Sequence, residues 1–183
     1  MNIQSAITEG ANKLKNENIS TAKLDAEILM IKAIGESQKY ILLNNNKELQ
    51  SDKLERYKCL IGERLNRKPI AYLINKKFFW NYEFLVTQDT LIPRPDTELL
   101  IDKVLKIVKN RNKLRVLDIG IGSGCILLTI LSEKNNFSGV GIDINKNSIN
   151  ISKINAKRLK VYNRVKFYKS DVDKFDLGKY DLI

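Results

Sequence analysis

The sequence predicts an open, mostly parallel α/β sheet preceded by a small helical bundle, with a β-hairpin linking the two. Three observations carry this. The pattern is helical over roughly the first 68 residues; an aromatic, strand-like run follows at Phe78–Val86; and from Pro95 onward short apolar strands alternate with amphipathic helices.

In the first module Ile3, Ala6, Ile7, Ala11 and Leu14 fall on one helical stripe, and Leu24, Ile28, Ile31 and Ile34 on another. Ser20 and Thr21 can cap the second helix and Gly35 can end it. Ser51 or Asp52 can cap a further helix carrying Leu54, Ile61 and Leu65, which stops before Pro69. These stripes predict a helical domain over residues 1–76. The run "FFWNYEFLV" predicts a hairpin with Asn81-Tyr82 as its turn, inside a linker over 77–93. Residues 94–183 then read as a helix over 96–110, the buried-strand run "LRVLDIG", a helix through 126–131, the strand "SGVGID", a helix over 149–159, the strand "RVKFYKSD" and a last strand at "KYDLI".

Composition excludes several chemistries. There is no histidine, so a Ser-His-Asp triad, a Cys-His pair and histidine metal ligands are all ruled out. Cys59 and Cys125 lie far apart with no CxxC pair, which indicates neither a zinc site nor a disulfide framework and suits a reducing, cytoplasmic setting. No apolar run approaches the roughly 20 residues of a membrane span. The net charge of +11 suggests an acidic partner such as nucleic acid. The lysines are nevertheless spread from Lys13 to Lys179 without a dense run, as codon bias in an AT-rich genome would also give, so direct nucleic-acid binding is possible but not indicated.

The chemistry sits at "VLDIGIGSGCI". Asp118 ends a buried strand, and Gly120, Gly122 and Gly124 follow at alternating positions before a helix. Glycines there remove the Cβ atoms that would hold a ligand off the backbone, and they tolerate positive φ, while the new helix offers unpaired N–H groups. Asp143 closes the next strand, where a carboxylate can accept hydrogen bonds from both ribose hydroxyls. Together these describe a nucleoside-cofactor site. A dinucleotide fingerprint fails, because Cys125 stands where the third glycine belongs, and no Walker A loop exists.

The D-x-G-x-G-x-G turn resembles the cofactor loop of S-adenosylmethionine-dependent methyltransferases. "LIPRPDTE" at 91–98, followed by "VLDIGIGSG", closely resembles the HemK/PrmC family, the glutamine-N5 methyltransferases of peptide chain release factors. "DAEIL" at 25–29, "KPIAYL" at 68–73 and the aromatic "FFW" extend the resemblance over the whole chain. The resemblance implies a Rossmann-like class I methyltransferase domain, present in part, behind a substrate-docking helical domain. It also implies S-adenosyl-L-methionine as cofactor and a release factor as protein partner, with no membrane partner, a monomer and a cytoplasmic location. By the same resemblance Gly120, Ile121, Gly122, Ser123, Gly124 and Asp143 hold the cofactor, Asp171 and Val172 fall beside its adenine, and Arg94 and Thr97 shape the pocket. Ile121 departs from the family's usual threonine at a position expected to contribute mainly backbone.

The family's catalytic Asn-Pro-Pro-Tyr does not occur in the 183 residues, and the expectation is a chain truncated before it, inactive alone and marginally stable, with no catalytic residue of its own. Two alternatives stand beside this: an adenine-amino methyltransferase acting on DNA or RNA, and a non-catalytic fragment that binds a release factor.

Overall fold

The computed structural model describes residues 1–183, which form two compact units, Met1–Ile74 and Asn75–Ile183. No helix is long and apolar enough to cross a membrane.

The first unit is helical: α1 (Ile3–Asn16), α2 (Ala22–Ile34), α3 (Gln38–Leu43), α4 (Ser51–Leu65) and α5 (Ile70–Ile74). Asn2 caps α1 by accepting the Ser5 N–H at 2.8 Å, and Gly35 ends α2 in the left-handed region at φ 83°. The α1 stripe is buried as its spacing predicts, through Ile3, Ala6, Ile7 and Leu14. The α2 stripe is not. Leu24 is 55% exposed, and the buried face is instead Ala22, Ala26, Leu29, Met30 and Ala33. Because α2 is packed by α1, α4 and α5, its inward face combines Ala22, Ala26 and Ala33 with the fully buried Leu29 and Met30, while Ile31 and Ile34 settle at the margins.

Capping also differs from expectation. The N-cap of α4 is Gln50, with Ser51 already helical and no side-chain cap bond. Thr21 does occupy the N-cap of α2, but its hydroxyl donates to Asp25 Oδ2 at 2.9 Å instead. That carboxylate is buried and accepts Arg64 Nε at 2.8 Å, an ion pair joining α2 to α4.

The second unit opens with the antiparallel hairpin β1 (Lys77–Phe79) and β2 (Tyr82–Phe84), with Phe79 paired to Tyr82. Its two-residue turn is therefore Trp80-Asn81, one position earlier than Asn81-Tyr82, with Trp80 at φ 56°. The tryptophan tolerates this conformation because it is fastened on both sides: its N–H donates to Glu98 at 2.9 Å and its indole Nε1 to Glu133 at 2.9 Å.

A 3₁₀ turn at Pro95–Thr97 leads into α6 (Glu98–Ile107), shorter than the expected 96–110, followed by β3 (Arg115–Ile119), α7 (Cys125–Glu133), β4 (Ser138–Asp143), α8 (Lys146–Arg158) and β5 (Val165–Lys169). The three later strands pair in parallel in the order β3-β4-β5, a Rossmann-like arrangement. Ile101, Leu127, Leu128, Ile130, Leu131 and Phe137 build the main core with the hairpin's Phe79 and Phe84. The segment "KYDLI" is not a strand. It makes a single parallel bridge, Leu182 to Val116, with the Leu117 N–H donating to the Leu182 carbonyl at 2.9 Å, so it touches the edge of β3 opposite β4.

Candidate functional site

The turn after β3 is held from beneath. The N–H groups of Gly120 and Ile121 both donate to the Ile142 carbonyl of β4, each at 2.9 Å. Gly120, Gly122 and Gly124 take φ of 74°, 53° and 82°, conformations an L side chain resists. A Cβ on Gly120 would meet nothing within 4 Å, and one on Gly122 only the Gly120 carbonyl at 3.8 Å. The glycine backbone thus faces open space, as a cradle requires. Gly124 is different: a Cβ there would lie 2.7 Å from Leu128, so that glycine serves packing.

Asp143, at the carboxyl end of β4, closes the cradle. Its Oδ2 accepts the Gly122 N–H at 3.0 Å and its Oδ1 the Asn145 N–H at 2.8 Å. Each oxygen keeps unused acceptor capacity, so a vicinal diol can still be bound by a carboxylate already fixed in orientation. Asp118, one strand over, is half-buried, with its carboxyl crowded by protein atoms. Burial pushes its pKa up to about 6, opposed by the Leu127 N–H at 3.4 Å and reinforced by the charge of Asp143. No group of acids, cysteines or histidines is placed to hold a metal.

Residues 5–74 match the PrmC N-terminal domain and residues 110–183 a methyltransferase domain. The release factor glutamine methyltransferase of Buchnera aphidicola subsp. Baizongia pistaciae is 42% identical over 163 residues, covering 89% of this chain and 58% of that protein. The chain thus carries a PrmC N-terminal domain followed by a methyltransferase domain. Proteins of the same description from Buchnera aphidicola subsp. Acyrthosiphon pisum and from Clostridium botulinum are 35% and 34% identical, covering 93% and 94% of this chain and 60% and 61% of theirs. The chain therefore spans about six-tenths of the length of these relatives.

Within this chain the sequence-predicted residues separate by what they expose. Gly120 and Gly122 present open backbone beside Asp143. Ile121 is buried, and its side chain lies over β4, where a Cβ on Gly141 would come within 2.1 Å of Ile121 Cδ1. The isoleucine thus contributes packing as well as backbone, and Gly141 is the glycine that makes room for it. Ser123 also turns inward, with its carbonyl accepting Asn155 Nδ2 at 2.8 Å.

Asp171 lies just beyond β5, one residue after Ser170, whose N–H donates to the Asp143 carbonyl at 3.1 Å. Asp171 caps a short 3₁₀ turn, and Val172 beside it is 48% exposed. These residues and the glycine turn therefore gather at the carboxyl ends of β3, β4 and β5, where open α/β sheets place ligands. Arg94 and Thr97 are not bonded to that cluster. Arg94 is exposed and extended (φ −97°, ψ 142°), its carbonyl accepts the Thr97 N–H at 3.1 Å, and Pro95 begins the 3₁₀ turn. The proline pair is accounted for by this stiffened approach to α6.

Asn155 was missed by sequence reasoning. Buried in α8, it accepts the Leu85 N–H at 2.8 Å and donates to the Leu85 and Ser123 carbonyls at 3.0 and 2.8 Å. It ties the chain after β2 to the glycine turn. The one available signal was an asparagine on the α8 face shared with Ile149, Ser152 and Ala156.

Proposed function

We propose that this chain holds the S-adenosyl-L-methionine site of an enzyme that methylates a glutamine side-chain amide in peptide chain release factors. The observation that carries it is the Asp143 carboxylate locked to Gly122 beside two glycines whose missing Cβ atoms leave the cradle open. The relatives' descriptions as release factor glutamine methyltransferases supply the substrate class.

In this reading Gly120 and Gly122 offer backbone to the methionine end, Ile121, Ser123 and Gly124 fix the turn, and Asp143 takes the ribose hydroxyls. Asp171 and Val172 flank the adenine, while Arg94 and Thr97 border the pocket. Residues 94–183 are the cofactor domain, 77–93 the linker and 1–76 the module that docks the release factor. The protein works as a cytoplasmic monomer.

The bound cofactor supplies a sulfonium methyl to be attacked. An amide nitrogen is a poor nucleophile because its lone pair is delocalised, so the rate depends on gripping and aiming the amide. These 183 residues supply the cofactor side of that reaction, through Gly120, Gly122 and Asp143.

Two measurements test this. Ultraviolet cross-linking of methyl-labelled S-adenosylmethionine should place the label within 118–172, and a biosensor carrying the chain should retain a purified release factor. Label confined to residues 1–74 would refute the cofactor site, and no retention would refute the substrate class.

A further inference from the structure

The positive charge of this chain is not evenly spread, although its lysines are. From Ile144 to Ser170 there are eight lysines and arginines and none of the chain's 21 acidic residues, so these 27 positions hold +8 of the net +11. The concentration arises from missing acids rather than dense lysines, which is why no basic run is visible in the sequence. In the structure this stretch is α8, β5 and their connection.

Arg164 is consumed internally, donating to the carbonyls of Leu131, Lys134 and Phe137 at 2.6 to 3.0 Å. The other seven are Lys146, Lys153, Lys157, Arg158, Lys160, Lys166 and Lys169, and none forms a salt bridge. All but Lys153 are exposed. Helix and strand are joined at this surface by Lys157, whose Nζ lies 5.2 Å from the Tyr162 ring, and by the stacking of Tyr162 on Phe167 of β5. β5 is the edge of the sheet, so the cations run along α8 and around that edge, and the carboxylates bonded to this stretch, Asp143 on Asn145 and Asp89 on Asn147, lie at the amino end of α8.

We propose that the α8–β5 surface is a phosphate-backbone binding face, and that its occupant is RNA. Six of the seven free cations are lysines, point charges suited to sequence-independent phosphate contact. Lysine is depleted at protein–protein interfaces, where aromatic anchors and arginine forks dominate. The choice of RNA over DNA rests on the proposed function, since an enzyme of release factors works among ribosomes.

The test is fluorescence anisotropy with a labelled 20-nucleotide single-stranded RNA between 50 and 200 mM salt. With about 0.7 counterions released per phosphate on a single strand, the log–log salt slope should lie between about −3 and −5. The triple variant Lys157→Gln, Lys160→Gln and Lys166→Gln should bind at least about tenfold more weakly at 50 mM salt, with the slope reduced by about 2. A control triple of equal charge change, Lys103→Gln, Lys109→Gln and Lys113→Gln, should bind as the parent does.

No binding at 50 mM salt, or equal weakening in the control triple, would overturn the proposal. So would polyglutamate or duplex DNA competing better than RNA at equal charge. S-adenosylhomocysteine titration of the same variants separates the readings: unchanged cofactor binding with lost RNA binding supports this surface, and absent cofactor binding bears on the proposed function alone.

Discussion

Replacing Asp118 with asparagine is expected to stabilise the second unit at neutral pH and to have no effect at pH 4. The carboxyl lies at the end of β3, lining an apolar groove with Leu100, Ile126 and Ile130, and burial raises its pKa from 3.8 to about 6. The folded protein thus holds this proton more tightly than the unfolded chain does. The resulting stability is fully present below about pH 4 and is lost as pH rises through 6, above which the ionised carboxylate carries the whole cost.

Two pH units at 1.36 kcal/mol each set a ceiling of about 3 kcal/mol. The residue keeps partial solvent access, which lowers the expected gain to about 1–2 kcal/mol. Asparagine can still accept the Leu127 N–H but has no charge to bury. Urea unfolding from pH 4 to 8, followed by fluorescence of Trp80, reads this directly, since Trp80 is the sole tryptophan and lies in the same unit. Apart from Asp143, whose charge acts on Asp118, groups elsewhere titrate alike in both proteins, so the difference reports Asp118 and that coupling. A variant no more stable than the parent at pH 8, or equally favoured at pH 4, would refute the reasoning.

Asp25→Ala should destabilise the helical unit by about 3–5 kcal/mol, because it leaves the Arg64 guanidinium facing an uncompensated site. The double variant Asp25→Leu with Arg64→Met should recover most of that loss, as circular-dichroism melts of the three proteins would show. Asn155→Ala should cost about 2–4 kcal/mol by stranding the Leu85 N–H and two carbonyls. Amide exchange should accelerate at Leu85 while the α1 amides stay unchanged.

The α/β alternation was legible because its signals are local: apolar runs at 115–119 and 138–143, a glycine turn, and an acid closing the next strand. What depends on neighbours was not. The buried face of α2 is set by three helices packing on it, so spacing pointed to Leu24 while packing chose Ala26 and Ala33. The hairpin turn moved by one residue because Glu98 and Glu133, distant in sequence, hold Trp80 in place. Ile121 read as a backbone position because nothing nearby in sequence shows that Gly141 lies beneath it. The role of Asn155 became visible only when α8 and the chain after β2 were placed side by side, whereas the acid-free run at 144–170 stands in the sequence itself, hidden because its lysines are no denser than elsewhere.

The most direct test of the account is calorimetric titration of S-adenosylhomocysteine into the chain and into its Asp143→Asn variant. The account predicts one-site binding to the parent and at least about tenfold weaker binding to the variant, roughly 1.4 kcal/mol or more for the loss of a charged acceptor. No binding to the parent, or equal affinity in the two proteins, would contradict it.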